Sequence, residues 1–188
     1  GKYHRSILAD TGADLLIYGM GEKTMRELVR RLSAGATIKD CHDMCQVGYL
    51  SDIKPDGDGV VELASHEECA KNKKTSAATF KTIEEESNKL NQTVLVQSVG
   101  NRYVVVNPPY SPMTTEELDA VYELPFTRQP HPKYKGKTIP AFDMIRWSVN
   151  THRGCWGGCA FCTISMHQGK FVVSRSLESI LKEVRTLA

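Results

Sequence analysis

Apolar positions in the first third of the chain follow a strand period and then a helical period. The run ADLLIY at residues 13–18 is apolar after its single Asp, which is typical of a buried parallel strand, and Gly19 ends it. A helix over residues 22–33, ended by Gly35, is predicted by four apolar residues at helical spacing: Met25, Leu28, Val29 and Leu32. A second strand is expected within residues 45–53, so this segment predicts a strand–helix–strand unit.

The middle of the chain predicts helices followed by a β-hairpin. Residues 60–63 have the pattern of a short strand after an Asp- and Gly-rich turn, and residues 66–88, rich in Lys and Glu, that of one or two helices. Residues 93–98 and 102–106 are rich in β-branched side chains and are joined through Gly100, which predicts the hairpin.

Proline dominates the next stretch, because seven of the eight prolines fall within residues 108–140. A short helix interrupts them, with Thr114 and Glu117 spaced as a capping box. We expect the remainder to run over the surface as ordered loop and to form no core layer of its own.

The last part of the chain predicts a strand, a functional loop and a helix. Apolar and polar side chains alternate over residues 145–150, as in a strand, and a cysteine-rich loop follows. Ser176 can cap a final helix whose predicted apolar face comprises Leu177, Ile180, Leu181, Val184 and Leu187. This is one βα unit, and in (β/α) barrels the loops that follow the strands carry the chemistry. The chain as a whole is therefore predicted to be of the α/β class.

Composition limits the class of protein. With 188 residues and 40% hydrophobic side chains the chain can bury a core, and no apolar run approaches the roughly 18 residues that span a membrane. The amino terminus lacks the apolar centre of a signal peptide, so a soluble, cytoplasmic protein without a membrane partner is expected. In that compartment the six Cys are expected to be thiols or metal ligands and not disulfides.

Charge is distributed unevenly, although the formal net charge is only +2. Between residues 128 and 175 the only acid is Asp143, whereas three His and eight basic residues lie there: Arg128, Lys133, Lys135, Lys137, Arg146, Arg153, Lys170 and Arg175. The small net charge argues against a molecule that binds nucleic acid over its whole surface. The basic segment nevertheless leaves a nucleic-acid partner open.

Three cysteines within this basic segment have the spacing CxxxCxxC: Cys155, Cys159 and Cys162. Thiolates are the usual protein ligands of iron–sulfur clusters, and three of them can hold one cube while leaving one iron without a protein ligand. Gly154, Gly157 and Gly158 allow tight backbone bends that bring N–H groups towards the sulfurs. The spacing therefore favours a cluster with one open iron.

A structural zinc site is the alternative, with His152 or His167 as the fourth ligand. Zinc sites usually combine two separated cysteine pairs, whereas these three cysteines lie in one tight loop, so the cluster is favoured. A zinc-stabilised chain would be a non-catalytic module that binds nucleic acid through the basic segment and its aromatic side chains. Burial is predicted for the remaining cysteines, Cys41, Cys45 and Cys69.

The cysteine spacing, with Phe161 before the last Cys, resembles the signature of the radical SAM superfamily. The stretch HRGCWGGCAFC at residues 152–162, together with residues 167–169 and 174–176, resembles more narrowly the uncharacterised YgiQ family. Similarity at residues 18–22, 107–109, 124–125 and 131–132 extends the resemblance to nearly the whole chain. Trp156 is a mild departure, since Phe is expected at that position.

This resemblance implies a 4Fe-4S cluster held by three thiolates: Cys155, Cys159 and Cys162. It further implies that S-adenosylmethionine binds the fourth iron and is cleaved, with an electron from a low-potential donor, to methionine and a 5′-deoxyadenosyl radical. Phe161 would lie against the adenine, and Arg153 and Arg175 are candidate helpers. The substrate and the other catalytic residues are unknown.

The resemblance also implies a domain organisation. Residues 1–53 resemble the end of a Rossmann-like domain, without the Asp-x-His-x-x-Gly loop that binds cobalamin, and residues 54–140 form a connecting region with helices and the hairpin. Residues 141–188 then begin a radical SAM (β/α) barrel. Because a complete barrel needs several more strands, we expect the chain to be the middle segment of a longer enzyme and to be inactive alone.

Overall fold

A computed structural model describes residues 3–187, which form a mixed α/β structure. The helices are α1 (Ile7–Thr11), α2 (Glu22–Ser33), α3 (His66–Lys71), α4 (Lys73–Ser87), α5 (Thr115–Tyr122), α6 (Pro140–Ile145), α7 (Ile164–Gln168) and α8 (Leu177–Leu187). The strands are β1 (Leu16–Ile17), β2 (Val47–Ser51), β3 (Val60–Leu63), β4 (Val94–Val99), β5 (Arg102–Val106), β6 (His152–Arg153) and β7 (Val173–Ser174). The predicted α/β class is confirmed. Within residues 3–187 no helix has the length and apolar character needed to cross a membrane.

The chain divides into two compact units. The first contains residues 3–111 and 157–170, and the second contains residues 112–156 and 171–187. Strands β1 to β5 belong to the first unit, whereas α5, α6, β6, β7 and α8 belong to the second. The domain boundaries inferred from the sequence, near residues 53 and 140, stay a prediction for the longer protein.

One five-stranded sheet organises the first unit, in the order β1-β2-β5-β4-β3. Three neighbouring pairs are antiparallel, and only β3 and β4 are parallel, so the sheet is mixed. The predicted hairpin is confirmed as β4 and β5, and Gly100 in its turn has a φ of 62°, a conformation that glycine adopts without strain.

Strand β1 differs from the prediction. It has two residues instead of six, lies at the edge of the sheet and pairs antiparallel with β2, not parallel. A continuous apolar run indicates that a segment is covered, but the direction of pairing depends on how the connection returns the chain to the sheet. The helix of this unit was predicted with its correct bounds, since α2 spans Glu22–Ser33.

Strand β2 carries the core of the first unit on both faces, as its alternation requires. Val47 and Tyr49 lie in one apolar cluster, and Leu50 packs on the other, which contains Leu8 of α1. The buried members of the two clusters are Cys41, Met44 and Val47, and Leu8, Val99 and Val104. Leu28 of α2 packs against the first cluster and Leu8 of α1 belongs to the second, so the two helices contact opposite faces of β2.

Buried polar side chains join the loops beside β1 and β5. The Asn107 amide donates to the backbone oxygens of His42 and Met44, at 2.7 Å each. The Tyr18 hydroxyl donates to the Asn107 carbonyl at 2.5 Å, and burial, with Cys45 nearby, raises the pKa of Tyr18 well above its ordinary value. The Gln46 amide donates to the oxygens of Tyr18 and Met20. Tyr18 and Asn107, which lie in two of the segments that carried the family resemblance, are thus in direct contact.

The strand predicted at residues 145–150 is wrong. Pro140 occupies the first turn of α6, which continues to Ile145, and the Ser148 N–H donates to the Ile145 carbonyl beyond it. Proline at the start and Asp143 in the first turn are helix signals, and they outweigh a short apolar alternation. The strand that precedes the cysteines is instead β6.

Helix α8 buries two polar side chains and leaves much of its apolar face exposed. The predicted helix and its cap are confirmed, since α8 begins at Leu177 and the Ser179 N–H donates to the Ser176 hydroxyl at 3.1 Å. Ser179 and Glu183 are buried, whereas the apolar side chains of Leu177, Leu181 and Val184 are exposed. Amphipathic spacing identifies the apolar face of a helix, but it does not show whether other residues of the same chain pack against that face.

Asn107 is predicted to stabilise the first unit through its two amide hydrogen bonds. Asn107→Ala leaves the carbonyls of His42 and Met44 without their amide donor, of which the Met44 carbonyl is buried, and we expect a loss of about 1–3 kcal/mol in the free energy of unfolding. Chemical denaturation of the chain measures it, with the exposed Asn91→Ala as the control, for which a change within about 0.5 kcal/mol is expected. Equal losses in both variants would contradict a role for the Asn107 amide.

Candidate metal centre

The three candidate ligands lie between β6 and α7. The boundary between the two compact units falls inside this segment, so Cys155 belongs to the second unit and Cys159 and Cys162 to the first. Cys155 and Cys162 are half-buried and Cys159 is exposed. None of these three cysteines is in a disulfide, as expected for potential metal ligands.

A short antiparallel pair forms the base of the segment. His152 and Arg153 of β6 pair with Ser174 and Val173 of β7. This pairing joins the chain before the cysteines to the chain that returns after them. The entry to Cys155 is therefore fixed by backbone hydrogen bonds of the second unit.

Gly154 is required at the end of β6. Its φ is 92°, and a Cβ built there would lie 2.2 Å from the Phe171 carbonyl oxygen and 2.9 Å from the Phe171 carbonyl carbon. Backbone atoms cannot yield as a side chain can, so only glycine fits. The role of Gly154 as a bend was predicted from the sequence, but its close approach to the returning chain was not.

Arg175 is buried directly beside this base, although a lone arginine is usually solvated. Its side chain is 1% exposed, and its backbone N–H donates to the Thr151 carbonyl at 2.9 Å. Its guanidinium contacts Asn150, Ser179 and Glu183. The spacing of Arg175, Ser179 and Glu183 at i, i+4 and i+8 is the sequence signal that could have indicated this polar helix face.

Tyr122 is a further residue that sequence reasoning missed. The guanidinium carbon of Arg175 lies 4.2 Å from the centre of its ring, and that of Arg153 lies 5.0 Å from it. The Arg153 Nε also donates to the Tyr122 hydroxyl at 3.2 Å. Both arginines that were candidate helpers therefore meet on one aromatic ring of α5.

The part of the segment that belongs to the first unit forms a turn around the other two cysteines. The Cys162 N–H donates to the Cys159 carbonyl at 3.0 Å, and the Cys159 thiol points to the Gly157 carbonyl at 3.9 Å. Gly158 adopts a φ of 56° with open space around it. Phe161 is 90% exposed, so its ring is available to a ligand.

Part of the basic segment is neutralised by acids from elsewhere in the chain. Arg128 pairs with Glu183 at 2.6 Å, and Arg175 pairs with the other oxygen of the same carboxylate. Within the first unit Lys170 pairs with Glu84 at 2.5 Å. The local excess of positive charge is therefore smaller than the sequence suggested.

The other cysteines behave largely as predicted. Cys41 and Cys69 are buried, and Cys45 is half-buried. The Cys41 thiol donates to the Thr37 carbonyl at 3.5 Å, and the Cys69 thiol lies 3.4 Å from the Thr79 hydroxyl.

Across residues 3–187 there is no group of three or more His, Cys, Asp or Glu side chains arranged to hold a metal ion. The three cysteines are therefore not preassembled with His152 or His167 as a zinc site, just as they are not preassembled for a cluster.

Comparison with known proteins gives consistent matches. Residues 1–148 match the family model described as "Radical SAM N-terminal". A UPF0313 protein of Bacteroides thetaiotaomicron is 56% identical over 198 residues, which cover 98% of this chain and 32% of that protein. A UPF0313 protein of Porphyromonas gingivalis is 49% identical over 187 residues, which cover 96% of this chain and 29% of that protein. A UPF0313 protein of Methanocella arvoryzae is 45% identical over 186 residues, which cover 99% of this chain and 31% of that protein. No solved structure matches the chain.

Fold and site define a mixed α/β protein with a three-cysteine loop. The family match spans 148 of the 188 residues, and the chain therefore belongs to the radical SAM N-terminal family. The resemblance to radical SAM proteins is thereby confirmed. The matched residues end before the cysteine segment, and the chain spans about a third of the length of the curated relatives it matches.

Gly154 and Gly158 provide a matched pair of substitutions. Gly154→Ala is expected to lower the free energy of unfolding by at least about 2 kcal/mol, because it adds backbone overlap to the cost of a positive φ. Gly158→Ala meets open space, so only the conformational cost of about 1 kcal/mol is expected. Chemical denaturation of both variants measures the difference, and equal losses would contradict the close approach of Gly154 to Phe171.

Proposed function

We propose that the full-length protein is a radical SAM enzyme in which Cys155, Cys159 and Cys162 hold a 4Fe-4S cluster. The observation that carries the proposal is a CxxxCxxC segment without disulfides in a member of the radical SAM N-terminal family. Three thiolate ligands leave one iron for S-adenosylmethionine.

The donor chemistry of the segment fits this cofactor. Thiolates are the protein ligands that iron–sulfur clusters require, and all three cysteines are unbridged and at least partly accessible. The exposed side chains of Trp156, Cys159 and Phe161 have little packing to lose when the loop closes on a ligand. We expect the three thiols to come together on binding.

The residues of the chain then have separable tasks. Gly154 turns the backbone away from β6 and sets the direction in which Cys155 leaves it. The exposed ring of Phe161 offers an apolar surface for the adenine of S-adenosylmethionine. When bound, the cluster would supply one electron to S-adenosylmethionine, and cleavage of a carbon–sulfur bond would give methionine and a 5′-deoxyadenosyl radical.

The open side of α8 supports its placement at the start of a catalytic barrel. Leu177, Leu181 and Val184 are exposed, and covering apolar surface is favourable by about 25 cal/mol per Å². We propose that β6 and α8 begin the barrel and that further units of the longer protein cover this face. The Rossmann-like assignment of residues 1–53 stays an expectation for that protein.

The partners follow from the chemistry of the cofactor. A low-potential electron donor is needed to reduce the cluster, and a reducing compartment such as the cytoplasm keeps the thiols available. The hydrogen donor that the radical attacks is unidentified. A nucleic-acid-binding zinc module is not proposed, because the ion pairs of Arg128, Lys170 and Arg175 reduce the basic charge on which it depended.

Loss of any one ligand is predicted to abolish stable cluster loading. In full-length protein reconstituted anaerobically with iron and sulfide, Cys155→Ala, Cys159→Ala and Cys162→Ala should retain little iron, since two thiolates hold the cube at only two corners. Iron and sulfide per chain, with the broad visible absorption of the cluster, are the measurements. The controls Cys41→Ala, Cys45→Ala and Cys69→Ala should load normally, and parent-like iron in Cys159→Ala would refute the ligand assignment.

Cleavage of S-adenosylmethionine tests the enzymatic part of the proposal. The reduced full-length protein should release 5′-deoxyadenosine slowly even without substrate, because the open iron accepts S-adenosylmethionine. Chromatography of the products measures this release, and residues 1–188 alone should release almost none. A loaded, reducible full-length protein that forms no 5′-deoxyadenosine would indicate a structural cluster.

A further inference from the structure

We propose that Arg175 is a positioning residue that fixes the base of the cysteine segment and thereby holds Cys155 in place for the cluster. The inference rests on the proposed function. Arg175 follows the last of the three cysteines in sequence, but it lies beside the strand that leads into the first of them.

Arg175 binds the chain before Cys155 at two consecutive peptide groups. Its guanidinium Nη1 donates to the Asn150 carbonyl at 2.9 Å, and its backbone N–H donates to the Thr151 carbonyl at 2.9 Å. These carbonyls lie immediately before β6. A side chain and a backbone group of one residue therefore fix the point at which the chain enters β6.

The other side of the guanidinium is fixed by α8. Its Nη2 donates to the Ser179 carbonyl at 3.0 Å and to the Ser179 hydroxyl at 2.9 Å, and its Nη1 pairs with Glu183. A planar guanidinium can serve all these acceptors at once, whereas the single ammonium of a lysine cannot. The base of the cysteine segment is thus tied to the helix by one side chain.

Tyr122 extends the connection to the residue next to Gly154. Its ring lies against Arg175, and its hydroxyl accepts a hydrogen bond from Arg153. Arg153 is the last residue of β6, and Gly154 and Cys155 follow it. The path from Arg175 to Cys155 therefore consists of direct contacts and the rigid backbone of Gly154 against Phe171.

Stability alone gives a poor account of this arrangement. A buried ion pair such as Arg175–Glu183 loses about as much in desolvation as it gains, and apolar residues of similar volume often stabilise a protein equally well. What apolar residues cannot do is bind specified carbonyls on the strand leading to a ligand. The contacts of Arg175 with residues 150 and 151 have this directional character.

Cluster retention in the full-length protein tests the proposal. Iron loss to a chelator is measured per folded chain for Arg175→Lys and Arg175→Met, with the exposed Arg185→Met on the same helix as control. Retention should weaken by about 10- to 100-fold in the Arg175 variants and stay at the parent level in the control. Tyr122→Phe, which keeps the ring and removes the hydroxyl, should have a smaller effect in the same direction.

A second measurement needs no cluster. In the chain without metal, the rate of alkylation of Cys155 should rise in Arg175→Lys, while that of Cys162 should not change. A lower melting temperature with unchanged iron retention and unchanged Cys155 alkylation would make Arg175 merely structural and overturn the proposal. If Arg175→Met fails to fold, Arg175→Lys and Tyr122→Phe give the same decision.

The two proposals fail differently. A parent protein that takes up no cysteine-dependent iron refutes the proposed function, and the alkylation rates then decide by themselves whether Arg175 positions Cys155. A parent that holds its cluster while the Arg175 variants retain iron equally well refutes the positioning role alone.

Discussion

The close approach of two backbone segments at Gly154 and Phe171 is the constraint on which the candidate site depends. A side chain at position 154 would overlap a carbonyl group, and the positive φ at that position is one that glycine adopts without strain. Both ends of the excursion that contains the cysteines are consequently held together, by this contact and by the β6–β7 pair. The thiols can thus lie on an exposed loop while the point of departure of that loop stays fixed.

Buried polar groups contribute to this base. Arg175, Ser179 and Glu183 are buried between α8 and the strand pair, and the apolar side of the same helix is open. The buried polar contacts of this unit therefore lie next to the strand that leads to Cys155, while apolar side chains of α8 are exposed. This division agrees with a chain that spans about a third of its curated relatives.

The family assignment and the cysteine motif contribute different information. The family match ends at residue 148 and so identifies the class of protein without reaching the candidate ligands. The motif indicates three candidate ligands through thiolate chemistry and spacing, and its partly accessible cysteines, which form no disulfide, are compatible with that role. Neither the family match nor the motif identifies the substrate, because radical SAM chemistry is common to many different reactions.

The sequence alone determined the elements whose signals are local. Helix α2, the β4–β5 hairpin, the capping box of α5 and the cap of α8 were all predicted, because helical spacing, turn residues and caps act within a few positions. The candidate ligands were identified for the same reason. Tertiary structure decided the antiparallel pairing of β1 and the burial of Arg175. These features depend on which distant segment of the chain packs alongside, and the residue pattern of one segment does not specify that neighbour.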